Sequence, residues 1–156
     1  MADYIKPVVL KLGAEEYGVD IGLVNAIEQY QQIVPIPNSV AYIKGIINLR
    51  GEVIPVYDLR KKFNMPAYDG SDGERKLVVV KLPDVSIALD VDGVSEIHDF
   101  SEKDIVPMPG LVLNEDTKFF KRVAHVNGRL IVLMDVNNLL SKEELENVKK
   151  MKEDMK

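Results

Sequence analysis

Apolar residues in this chain gather in short runs or alternate with polar ones, and helical spacing is confined to the C-terminus. Val8 to Leu12 and Leu77 to Leu82 are β-branched or apolar runs of strand length. Gly13 opens a turn after the first, and Pro83-Asp84 does so after the second. Asn127-Gly128 stands between Val123-Ala124-His125-Val126 and Leu130-Ile131-Val132-Leu133, which predicts a hairpin. A type I′ turn needs positive φ at both central residues, and Asn and Gly supply it readily. Arg50-Gly51 holds the corresponding place earlier in the chain. Asp58 to Phe63 and Asp135 to Leu140 read as one or two helical turns. Ser141 followed by Glu144 forms a capping-box pattern. Leu145, Val148, Met151 and Met155 then give one apolar stripe at helical spacing, so residues 141–156 are expected to form a docked C-terminal helix.

The pattern occurs twice. Lys6-Pro7-Val8-Val9-Leu10-Lys11-Leu12 returns as Lys76-Leu77-Val78-Val79-Val80-Lys81-Leu82, and Tyr17-Gly18-Val19-Asp20-Ile21 as Ile87-Ala88-Leu89-Asp90-Val91. Ile33-Val34-Pro35-Ile36-Pro37 returns as Ile105-Val106-Pro107-Met108-Pro109. Gly51 to Leu59 returns as Gly128 to Val136. Matches in one order with small drifts in offset indicate an internal duplication. The expected class is mainly β: a single domain over 1–156, with one small β-barrel at about 6–66 and a second at about 76–140, joined by the turn-rich stretch Ala67 to Glu74. A lone unit of about 60 residues has a marginal core, so packing of unit on unit should supply much of the stability.

Composition narrows the function. The 156 residues are 46% hydrophobic, ordinary for a globular protein, and the formal net charge is −5. That charge disfavours nucleic acid, which calls for a basic footprint. No apolar run reaches the ~18 residues of a membrane helix, and the N-terminus lacks a signal design, so a cytoplasmic protein without direct membrane insertion is expected. The start at Met1 and the polar C-terminal helix lead to the expectation that no part is missing. With no cysteine, disulfides, thiolate catalysis and thiolate metal sites are excluded. The two histidines, His98 and His125, read as surface or edge residues. No nucleophile elbow, phosphate loop or dinucleotide fingerprint is present. Asp90-Val91-Asp92-Gly93 has the wrong spacing for a calcium loop and reads as a hairpin end. No catalytic residue, metal or cofactor is expected.

The duplication also serves as an internal control. Residues repeated in both units serve the common fold, and residues that differ are candidates for a separate task. Asn48-Leu49-Arg50-Gly51 faces His125-Val126-Asn127-Gly128 in that comparison. Gly51 is repeated, but Arg50 stands where Asn127 suits the turn better. An arginine offers a planar five-donor fork for a carboxylate or for a partner's carbonyls.

Glu16 to Ile21, Ile43-Lys44-Gly45-Ile46-Ile47-Asn48-Leu49-Arg50-Gly51, Val53 to Arg60 and Val91-Asp92-Gly93-Val94 together resemble the CheW family. Its members couple bacterial chemoreceptors to the histidine kinase CheA. The resemblance runs from about Val8 to Leu140 and extends into the C-terminal helix. It implies two SH3-like β-barrels with a groove between them, and a non-enzymatic adaptor in the cytoplasm that is recruited to membrane receptor arrays. The implied partners are the cytoplasmic tip of a methyl-accepting chemoreceptor and the regulatory domain of a CheA-type kinase. By matching positions, Val24, Gly45, Asn48, Leu49 and Arg50 would bind the receptor. Met108 and Leu111, in Pro107-Met108-Pro109-Gly110-Leu111, would serve kinase binding or barrel-to-barrel contact. Many family members carry a glutamate where this chain has Ala26, and Glu28, two residues on and on the same strand face, is the candidate partner for Arg50. The competing class is a small-ligand sensor that uses the groove as its pocket.

Overall fold

The computed structural model describes residues 4–36, 42–66, 75–83, 85–97, 100–107 and 120–154. Among these residues, thirteen strands follow one another as β1 (Tyr4–Ile5), β2 (Pro7–Leu12), β3 (Glu15–Asp20), β4 (Val24–Gln29), β5 (Ile43–Leu49), β6 (Glu52–Tyr57), β7 (Lys76–Leu82), β8 (Val85–Val91), β9 (Gly93–Ile97), β10 (Phe100–Ser101), β11 (Ile105–Pro107), β12 (Phe120–Val126) and β13 (Arg129–Met134). Two α-helices, α1 (Leu59–Lys62) and α2 (Lys142–Asp154), complete the frame with short 3-10 turns. The hairpin turns have the expected backbone. Arg50 and Gly51 have φ of 52° and 87°, and Asn127 and Gly128 have 52° and 77°. Asp58 caps α1 by accepting from the Lys61 amide at 3.1 Å. Asp135 does the same for the turn Val136–Asn138, accepting from the Asn137 amide at 3.1 Å.

The sheets cut across the sequence units. A six-stranded sheet runs β11-β12-β13-β3-β2-β9, and a five-stranded sheet runs β4-β7-β8-β6-β5. The hairpin β2–β3 of the first unit thus sits in the sheet built by the second unit, and the hairpin β7–β8 sits in the sheet built by the first. The boundaries at about 6–66 and 76–140 therefore mark repeats of sequence and not the two sheet bodies. The correction has a simple physical origin. The two hairpins share one apolar pattern, and each offers the same register to its sheet. Val56 pairs with Ala88 across β6 and β8, as Leu133 pairs with Gly18 across β13 and β3. Val24 pairs with Val80 as Val94 pairs with Leu10. The register shift between Ile43 and Gly45 recurs between Phe120 and Arg122. The duplication is thus repeated in register and bulge, with the hairpins traded.

The trade buries the central strands on both faces. Val78, Val80, Ile87, Leu89 and Val91 of one sheet join Val8, Leu10, Leu12, Tyr17 and Val19 of the other in the largest apolar cluster, which lies between the sheets. Leu77, Val79 and Ala88 face the other way, with Ile47, Ile54 and Val56, into the five-stranded sheet's own interior. Val9 does so with Phe100, Ala124, Ile131 and Leu133 in the six-stranded one. Continuous apolar runs such as Leu77 to Val80 follow from this two-sided burial. Tyr17, Phe63 and Phe120 meet ring to ring at 5.1–5.9 Å and tie the end of α1 to β3 and β12. Helix α2 buries Val148 in the same cluster, and Leu145 packs against it. The capping box forms as read, with Glu144 N donating to Ser141 Oγ at 3.1 Å and Ser141 N to Glu144 Oε1 at 3.2 Å.

Candidate functional site

The turn β5–β6 is built from its own side chains. Asn48 Oδ1 accepts from the Gly51 amide at 2.9 Å, which fixes the turn. Leu49 is half-buried against the interior of the five-stranded sheet. Arg50 holds φ of 52°, a left-handed conformation that a long side chain adopts at some cost. Its guanidinium reaches Glu28 on β4, with Nη2 donating to Oε1 at 3.0 Å and to Oε2 at 3.5 Å. The Arg50 side chain is 71% exposed and that of Glu28 is 21% exposed. The contact joins the two edges of the sheet, because β4 and β5 are its outermost strands. Register runs from Glu28 to Leu77 to Asp90, yet Arg50 at the far end of β5 comes round to meet Glu28. This is a sheet curled on itself with stagger, and Arg50–Glu28 lies on its closing seam.

The remaining candidates fall into distinct places. Val24 opens β4 and packs, half-buried with Leu23, against the margin of the inter-sheet cluster. Ile21 and Ile27 beside them are 40% and 41% exposed. Gly45 is buried, and the segment through Val34 crosses over it, with Val34 and Ile46 exchanging amide–carbonyl bonds at 2.9 Å. A Cβ on Gly45 would lie 2.3 Å from the Val34 carbonyl oxygen. Gly45 therefore makes room for a crossing chain and offers no side chain to a partner. Ala26 and Glu28 share the half-buried face of β4, as their spacing requires. Met108 and Leu111 lie outside the described residues, as does His98. His125 is exposed on β12.

Sequence reading missed a second charged cluster. Asp90 and Asp92 are buried, and they hold arginines rather than ending a hairpin, since β8 and β9 belong to different sheets. Asp90 receives Arg75 through Nε at 2.9 Å and Nη2 at 2.7 Å, and Lys44 Nζ at 2.8 Å. Asp92 receives both Arg60 nitrogens Nε and Nη2 and the Gly13 amide. The two carboxylates and their side-chain partners Lys44, Arg60 and Arg75, with Asp58, Lys61 and Met65, line a cavity of about 230 Å³. Nothing local in the sequence marks the pairs, because their cations come from Lys44, Arg60 and Arg75. No group of three or more potential metal ligands occurs among the described residues. No helix among them is long and apolar enough to cross a membrane.

A duplicated, hairpin-exchanged pair of small β-barrels with a surface turn and an exposed ion pair sets the class of this molecule. Comparison with known proteins gives the particular kind. The profile of the CheW-like domain matches residues 6–144, and the chain belongs to that family. It is 34% identical over 137 residues to the chemotaxis protein CheW of Klebsiella aerogenes, covering 88% of this chain and 82% of that protein. It is 31% identical over 138 residues to CheW of Bacillus subtilis, covering 88% of each. Among solved structures, the scaffolding protein TtCheW from Thermoanaerobacter tengcongensis superposes with a TM-score of 0.79 at 33% identity, over 90% of this chain and 96% of that one.

Proposed function

We propose that this protein is a non-enzymatic coupling adaptor of chemotaxis signalling that holds a chemoreceptor's cytoplasmic tip and a CheA-type histidine kinase together. It acts in the cytoplasm and reaches the membrane through the receptor. Family membership supports the adaptor reading, and the exposed Arg50–Glu28 seam carries the assignment of a surface. Arg50 holds a strained turn position that the second unit gives to Asn127, so the common fold does not account for it. Close by in the chain, Ile21, Leu23, Val24 and Ile27 supply apolar contact for one face of a helical tip. Asn48 and Leu49 shape the turn that presents Arg50, and Gly45 keeps β5 close under the crossing chain. Met108 and Leu111 are assigned to the kinase side. An adaptor of this kind works by raising the effective concentration of one partner at the other.

A pulldown with a receptor signalling-tip fragment and a kinase regulatory domain tests the proposal. The folded protein should retain both, and retention of neither would sink it. Arg50→Ala should weaken the receptor arm while stability changes by under about 0.5 kcal/mol. Leu111→Asp should weaken the kinase arm alone, and unchanged kinase retention would remove Leu111 from that surface.

A further inference from the structure

The two sheets share register, bulges and turns, so their remaining differences are informative. Two differences fall in the same sheet. The five-stranded sheet carries Arg50 where the other has Asn127. It also carries a cation cluster on Asp90, where the duplicate residue Asp20 accepts the Gly22 amide at 2.9 Å and meets no cation among the described residues. Asp90 stands on β8, the middle strand of five, with its side chain only 5% exposed. Its three charged bonds lead outward to both edges. Lys44 belongs to β5, the strand that leads into the turn at Arg50. Arg75 precedes β7, and its guanidinium carbon lies 4.1 Å from the centroid of Tyr30, immediately after β4. Strand β4 carries Glu28. One buried carboxylate thus holds, directly and through Arg75, the two edge strands that meet at the Arg50–Glu28 seam. A carboxylate in that position is well fixed, since a bidentate arginine and a lysine restrain it from different sides.

We infer that Asp90 is a positioning residue for Arg50, setting through Lys44 and the Arg75–Tyr30 stack how β4 and β5 meet and so where the guanidinium is presented. The inference rests on the proposed role of Arg50 in receptor binding, and the test separates the two. Asp90→Asn leaves two half-buried cations short of their counter-charge and endangers the fold. The informative variants are therefore Lys44→Met and Tyr30→Leu, each of which cuts one tie and leaves Asp90 paired with Arg75. The first readout is the Arg50 Nε–H resonance in NMR spectra of the full chain. It should move in both variants toward its position in Glu28→Gln, and stay in place in Asp20→Asn. The second is affinity for a receptor-tip fragment, which should fall about fivefold in each variant and not fall further when Arg50→Ala is added. An unmoved Arg50 resonance in Lys44→Met and Tyr30→Leu overturns the positioning role, whatever the affinities. A shifted resonance with Arg50→Ala binding the fragment as tightly as the natural chain upholds the positioning and removes Arg50 from the receptor surface. Additive losses in the double variants would show that Lys44 and Tyr30 act by another route, and would also overturn it.

Discussion

At the scale of single residues, the turn at Arg50 sets local stability against presentation. A non-glycine residue in the left-handed region costs about 1 kcal/mol, and asparagine bears this best. The exposed pair with Glu28 returns only a fraction of that, because solvent screens it and the long side chains must be held still. Arg50→Asn should therefore raise the thermal midpoint by about 1–2 °C, by the usual relation between free energy and midpoint for a chain of this size. The same change should weaken receptor retention, and calorimetry beside the pulldown reads both. A lowered midpoint would mean that Arg50 serves the barrel seam first. Glu28 as the partner of Arg50 was legible from strand periodicity, since two residues along a strand keep one face. The ties of Asp90 and Asp92 were not, because a buried carboxylate looks like any other until distant segments bring its cations. Gly45 was legible only as a motif position. The crossing of Val34 above it, and hence the need for glycine, belongs to the folded chain.

At the scale of elements, α2 is held by one carboxylate in three ways. Glu144 closes the capping box with Ser141, accepts from the Tyr57 hydroxyl at 3.3 Å, and lies 3.6 Å from Lys62 Nζ. Burial, and after it the charge and hydrogen bond of Glu144, push the Tyr57 phenol far above its ordinary value of 10.0. Burial likewise raises Tyr17, with help from Glu15. A phenol whose folded value lies above its unfolded one lends stability that is complete below about pH 10 and declines as pH climbs from there toward the folded value. The melting midpoint should therefore fall as pH rises beyond about 10. Tyr57→Phe, lacking the group, should show a shallower fall, and equal slopes would exclude Tyr57 as the source. The elements themselves were mostly readable, because turn chemistry at Asn127-Gly128, the capping box at Ser141 and apolar runs act over a few residues.

At the scale of the whole molecule, local signals stop being enough. The hairpins β2–β3 and β7–β8 have so similar an apolar pattern that each satisfies either sheet, and the pattern that exposed the duplication also concealed the exchange. What decides the arrangement is closure over long separations, as in the parallel pairing of β3 with β13. Neither half can complete a sheet alone. Residues 1–66 supply β4, β5 and β6 without the two strands that lie between them, and residues 75–156 lack β2 and β3 in the same way. Each half made separately should give the circular dichroism of an unfolded chain, while a mixture of the two should recover strand signal and a cooperative melt. A half that folds by itself would show that the exchange is optional.

The traded hairpins also set what half of such a chain can do. A chain of half this length with the same pattern could finish its barrel only by lending its first hairpin to an identical copy and borrowing the copy's in return. It would be an interlocked homodimer whose folding depends on concentration. Joining the two halves in one chain removes that dependence and, with it, the requirement that both halves stay alike. A charge unsuited to the turn can then stand in one half, while the other keeps the residue that the backbone prefers.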